Sequence, residues 1–206
     1  MPYAAILFDM DGTLLDTESI WHAPTKKAFD ACGLFINDDE IRALAGISLT
    51  DFLVQRNERH HYDHICAERN HLVIEMIKTH AQWTKGAQEC IDALQHTALG
   101  LVTSAPQKIV EALDHALAMT SRMKTVIVGE QVTPLYKTHP KGLLLACEEL
   151  HVQPSDCVYI GDQENDLKAA KAAGMDAILF HGSMTPPDLV HDKMVNDFVE
   201  LRTLLT

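Results

Sequence analysis

The stretch "YAAILFDMDGT" (Tyr3–Thr13) runs six apolar or aromatic residues straight into two aspartates one residue apart, Asp9 and Asp11. A run this short, aliphatic and without polar alternation predicts a strand buried on both faces, as in a parallel sheet. The two acids then stand at its carboxyl end. Carboxylates so close repel each other, and a metal ion, a shared proton or a solvated turn must relieve them.

Working outward, the same kind of run recurs at 99–103 ("LGLVT"), 126–129 ("VIVG"), 157–161 ("CVYIG") and 176–180 ("DAILF"). Helical patterns lie between them, at 86–97, 106–118, 140–151 and 165–173, the last stopping at Gly174 as a helix C-terminus does. Strand–helix alternation predicts an α/β fold with a doubly wound, mostly parallel sheet. From about Asp16 to Trp83 the rhythm breaks: helical stretches at 20–32 and 66–80 occur without a strand. Connections in a compact α/β domain are short, so this segment reads as an inserted helical cap. The expected organisation is a core of residues 1–16 and 83–206 and a cap of 17–82. A last packing helix is expected in "VNDFVELRTLL" (195–205).

Of the 206 residues 47% are apolar and 22% charged, enough to bury a core without staples, and the net charge is −12. Such acidity argues against nucleic acid or anionic membrane as partner. The five cysteines are scattered with no close pair in sequence, which reads as reduced, cytoplasmic usage. The N-terminus lacks the basic start of a signal peptide, and no window reaches the ~20 apolar residues of a membrane span.

Ligands of open parallel sheets gather at the carboxyl ends of the strands. Standing there are Asp9 and Asp11 after the first strand, Thr103 and Ser104 after the second, Lys137 beyond the third, and Asp162 and Asp166 after the fourth. Hard oxygen donors without histidine or thiolate suit Mg²⁺. The set fits phosphoryl transfer: one carboxylate attacks phosphorus, and a second trades a proton with the leaving oxygen and then with water. A lysine and a hydroxyl would hold the phosphate oxygens.

"DMDGTL" (9–14), "VTSAP" (102–106), "YKTHP" (136–140) and "YIGDQENDLKAAKAAGM" (159–175) resemble, in order and spacing, the four motifs of the haloacid dehalogenase-like hydrolase superfamily. "DMDGTLLDTES" is similar to its branch of phosphoglycolate phosphatases, β-phosphoglucomutases and sugar-phosphate phosphatases, which carry a helical cap after the first motif. The resemblance implies that Asp9 is nucleophile and metal ligand, and that Asp11 is the general acid/base whose backbone carbonyl also binds the metal. It implies phosphate binding at Thr103, Ser104 and Lys137, a metal ligand at Asp162, support from Asp166 and a tight turn at Gly12.

The chain departs from the pattern in places. Lys137-Thr138-His139-Pro140 stands where the superfamily often has Lys-Pro-x-Pro, which leaves Lys141 as a rival, and Lys85 replaces a usual proline. Asp11 speaks against dehalogenase chemistry, where the resemblance puts tyrosine. The loop "GISLTDF" (46–52) has no arginine until Arg56, which weakens a mutase reading. The expectation is a Mg²⁺-dependent phosphatase of a small phosphate ester, monomeric or weakly dimeric. A phosphosugar mutase, or a silent phosphate-binding protein, is the alternative. Glu18, Trp21, His22, Gly46, Ile47 and Ser48 are the cap residues expected to choose the substrate. His60 and His64 in "ERHHYDH" (58–64) have zinc spacing without a third ligand and read as a polar helix face.

Overall fold

The computed structural model describes residues 3–44, 47–133, 139–182 and 184–206. Six parallel strands form one sheet in the order β3-β2-β1-β4-β5-β6. They are β1 (Ala5–Phe8), β2 (Ala98–Val102), β3 (Thr125–Ile127), β4 (Cys157–Gly161), β5 (Asp176–Phe180) and β6 (Met194–Val195). The first five are the apolar runs of the sequence, shifted by one or two residues at some ends. The two-residue β6 had no sequence signal, being too short for a pattern.

β1 lies at the centre with every residue buried. Its side chains alternate between two cores, as strand geometry requires. Ile6 and Phe8 join Leu99, Leu101, Val158 and Ile160 on one face; Ala5 and Leu7 join Val102, Cys157 and Tyr159 on the other. The first face is covered by α5 (Ala87–Ala93), α6 (Gln107–Leu117) and α10 (Phe198–Leu205), the second by α8 (Lys141–Leu150) and α9 (Glu164–Ala173). One face of α6, with Ile109, Val110 and Leu113, supplies the apolar stripe that docks it.

Between β1 and α5 the described residues form four α-helices: α1 (Glu18–Ala31), α2 (Asp38–Ala43), α3 (Leu49–Gln55) and α4 (Tyr62–His80). The acidic run at 37–40 starts α2: Asn37 and Glu40 form a reciprocal capping box. These helices enclose a small core of their own, with Phe29, Ile36, Phe52, Leu53 and Ile65. Arg56 lies over the Phe29 and Phe52 rings and pairs with Glu40 at 2.7 Å and Glu58 at 2.8 Å. The two chain segments entering and leaving this bundle run side by side: Leu15 bridges Trp83, and Gln82 donates to Asp16 at 2.9 Å. α4 also reaches down onto α6, where Val73 and Ile77 join the main core.

Candidate active site

Register brings the chemistry together. Phe8 is level with Leu101 on one side and Ile160 on the other, so the chain leaves β1, β2 and β4 at one height. Asp9 continues the ladder, its N–H donating to the Ile160 carbonyl at 2.8 Å, and Thr103 does likewise with Ile127 at 3.0 Å. Asp9, Thr103, Asp162 and Asp166 are all buried there.

One carboxylate oxygen each from Asp9, Asp162 and Asp166 lies within 4.8 Å of the others, a group that could hold a metal ion. All donors are hard oxygens, the set that Mg²⁺ prefers. The third side chain is Asp166, the acid that the sequence reading named in support; Asp11 was expected to bind the ion through its backbone carbonyl, an atom outside this side-chain group. Asp11 lies on the turn beyond and is half-buried. That turn closes through Leu15 N–H to the Met10 carbonyl and Gly12 N–H to the Leu15 carbonyl, both 2.9 Å. Gly12 has φ +75°, and a Cβ there would lie 2.6 Å from Asp162 Oδ2. Only glycine meets both demands.

The acids are held by donors that the sequence reading did not single out. Gln163 donates its backbone N–H to Asp166 Oδ2 at 2.9 Å, and its side chain to Asp162 Oδ2 at 2.7 Å and to the Met184 carbonyl at 2.8 Å. The single Tyr159 O–H proton is shared between Asp166 Oδ1 at 3.3 Å and the Val102 carbonyl at 3.2 Å. Burial, and then the charges of Asp166, Asp9 and Asp162, push the Tyr159 phenol well above its ordinary range, so it stays a donor. Gly161 makes room: a Cβ there would meet Asp166 Cγ at 2.4 Å. The signals were position-based. Tyr159 and Gln163 flank the "GD" at the end of β4, but their roles depend on which layer each faces.

Thr103 Oγ1 accepts from Ala105 N–H at 3.0 Å in the turn that opens α6, and Ser104 is exposed beside it. Lys137 and Gly46 lie outside the described residues. On the cap, Trp21 Nε1 donates to Asp11 Oδ1 at 2.7 Å, so this tryptophan reaches the site itself. Glu18 sits half-buried in the first turn of α1, where a carboxylate suits the helix dipole. His22 faces Asp38 at 3.4 Å, and Ile47 is exposed. Ser48 caps α3 through Asp51 N–H at 2.9 Å. His60 and His64 are exposed and belong to no metal-competent group among the described residues.

A doubly wound sheet with buried carboxylates at the ends of adjacent central strands defines a ligand crevice of the open α/β class. The profile of the haloacid dehalogenase-like hydrolases matches residues 6–180. Phosphoglycolate phosphatase of Xylella fastidiosa is 32% identical over 184 residues, covering 84% of this chain and 78% of the relative. N-acetylmuramic acid 6-phosphate phosphatase of Pseudomonas aeruginosa is 29% identical, covering 91% and 86%. CbbY of Rhodobacter sphaeroides, solved in complex with phosphate, superposes with a TM-score of 0.84 at 27% identity, covering 97% of this chain and 96% of that one. The chain belongs to the haloacid dehalogenase-like hydrolase family. No helix among the described residues is long and apolar enough to cross a membrane.

Proposed function

We propose that this hydrolase is a Mg²⁺-dependent phosphatase of a small phosphorylated metabolite, working through an aspartyl-phosphate on Asp9. The observation that carries the reading is the convergence of Asp9, Asp162 and Asp166 within 4.8 Å at the ends of two adjacent strands. Asp9 and Asp162 would hold the ion, with Asp166 fixed beside them by Tyr159 and Gln163. Bound Mg²⁺ supplies positive charge that offsets these carboxylates and the phosphate oxygens.

The chain's own residues do the rest. Asp9 attacks phosphorus, and the bond to the leaving oxygen breaks as the new P–O bond forms. Asp11 gives the leaving oxygen its proton, then takes one from the water that hydrolyses the acyl phosphate. Thr103 and Ser104 hold equatorial oxygens, and the family resemblance assigns Lys137 to the same task. Residues 17–82 act as the cap, closing over the substrate from the two antiparallel entry segments and excluding water.

Phosphatase is favoured over mutase by Arg56. The first arginine after the cap loop is spent on Glu40, Glu58 and the Phe35 carbonyl, not offered to a second phosphate. The relatives' names give the panel to screen: phosphoglycolate, N-acetylmuramic acid 6-phosphate and fructose 1-phosphate. The expected result is phosphate release that needs Mg²⁺, stops with chelator and is abolished in Asp9→Asn. Release that persists in Asp9→Asn would remove the nucleophile assignment, and hexose-phosphate isomerisation without net release would favour the mutase.

A further inference from the structure

Arg69 lies on α4, one indole away from the proton-transfer carboxylate. Its guanidinium carbon stands 5.3 Å from the centre of the Trp21 ring, and that ring's N–H is bonded to Asp11. Its Nε is buried and has no hydrogen-bond partner. Three described arginines are not exposed. Arg56 is paired with Glu40 and Glu58 and Arg122 with Asp92, whereas Arg69 has no carboxylate partner among the described residues. Its near neighbours are Cys66 and Tyr62 of its own helix, neither of them a carboxylate. In a chain of net charge −12, a shielded cation without a carboxylate is an unmet electrostatic demand, since burial weakens the solvation that a guanidinium otherwise keeps.

The place of this cation decides what meets it. On the phosphatase reading, on which this inference rests, Asp11 exchanges its proton with the ester oxygen that leaves. A leaving group that extends from Asp11 past the Trp21 indole would meet the guanidinium that stands over that ring. We propose that Arg69, propped on Trp21, is the specificity residue for the leaving group, and that it selects short phosphate monoesters whose leaving group carries an anion of its own. A carboxylate and a second phosphate both match the planar fork of arginine. Either would supply the counter-charge that no described carboxylate gives Arg69.

The test compares three substrates of similar length with Mg²⁺ present: phosphoglycolate, ethane-1,2-diol bisphosphate and neutral-ended 2-hydroxyethyl phosphate. Wild type should favour an anionic substrate in kcat/KM, and whichever of the two is favoured names the anion. Arg69→Gln should cut that preference about tenfold or more, the size of a lost charge-assisted hydrogen bond, mainly through KM. Arg69→Lys should recover part of it. Should Arg69→Gln fail to fold, Arg69→Lys and Arg69→Met carry the same comparison. An unchanged preference in the variants, or no preference in wild type, overturns the proposal while leaving the phosphatase reading intact. Calorimetric titration with glycolate and with ethane-1,2-diol needs no turnover. Glycolate binding that Arg69→Gln loses, in a protein that hydrolyses none of the esters, supports the anion site and removes the phosphatase reading. Neither hydrolysis nor glycolate binding removes both.

Discussion

The indole N–H of Trp21 donates to Asp11 Oδ1 at 2.7 Å, joining the first cap helix to the turn that follows the central strand. An indole offers a donor and no acceptor, so the bond favours Asp11 as the carboxylate and fixes which oxygen is held. The position of Asp11, the group proposed to transfer the proton, thus depends on where α1 stands.

Trp21→Phe keeps the ring and removes the N–H. A hydrogen bond to a charged group contributes about 1.5–3 kcal/mol, so kcat/KM should fall about tenfold or more. The melting temperature should move little, because the ring still packs beneath Arg69. Trp21→His returns a donor and should restore part of the rate. Steady-state kinetics beside thermal melts checks this, and an unchanged kcat/KM in Trp21→Phe would mean that the contact positions nothing.

Asp9, Asp162 and Asp166 form a stability liability without metal. Like charges 4.8 Å apart repel by about 3 kcal/mol per pair at an effective dielectric of 20, before relaxation. Asp162→Asn keeps an acceptor for Gln163 while removing one charge. In chelator, this variant should melt roughly 2–6 °C above wild type, a net gain of about 1–2 kcal/mol. Adding Mg²⁺ should raise the wild-type melting temperature and barely move the variant's, closing or reversing the gap. Equal responses to Mg²⁺ would take Asp162 out of the metal site.

Gly161 and Gly174 make a controlled pair. Alanine at 161 would put its Cβ 2.4 Å from Asp166 Cγ, while alanine at 174 meets nothing within 4 Å but must adopt φ +71°. Overpacking costs about 1–3 kcal/mol and would push Asp166 off Tyr159 and Gln163, so Gly161→Ala should lose both stability and activity. Gly174→Ala should lose about 1 kcal/mol through left-handed strain and keep its kcat/KM. Urea midpoints and kinetics on the two variants separate the effects, and a fully active Gly161→Ala would show that Asp166 placement is not critical.

What could be read from sequence follows the range of the forces involved. The five apolar strands were legible because burial on both faces leaves a continuous run, and Asp9 and Asp162 because a strand end fixes where its next residue goes. Met194 and Val195 are too few to carry a period. Asp166 was legible as a supporting acid after β4, but its closeness to Asp9 and Asp162 was not: the bare Gly161 leaves room for its carboxylate, a distance no spacing encodes. Tyr159, Gln163 and Arg69 act across layers, between α9, the loop at Met184 and two cap helices. Their neighbours become visible only once the chain is folded.

The cysteines divide by layer, and their chemistry should follow. Cys32 and Cys66 are half-buried in the cap, whereas Cys90, Cys147 and Cys157 are buried, the last two with sulfurs 3.9 Å apart. A disulfide reagent should reach the two half-buried thiols in the native protein and all five in denaturant, since reaction needs access to the sulfur. Burial pushes the Cys90 thiol up to about 11 from an ordinary 9. Between those values the unfolded chain has given up that proton and the native chain has not, so stability falls as pH rises through the window. The slope from this one group is at most about 1.4 kcal/mol per pH unit. Cys90→Ala should lower stability at pH 7 through the lost packing but flatten the decline from pH 9 to 11. Urea unfolding of both proteins at pH 7, 9, 10 and 11 measures it, and parallel declines would show that Cys90 ionises as readily folded as unfolded.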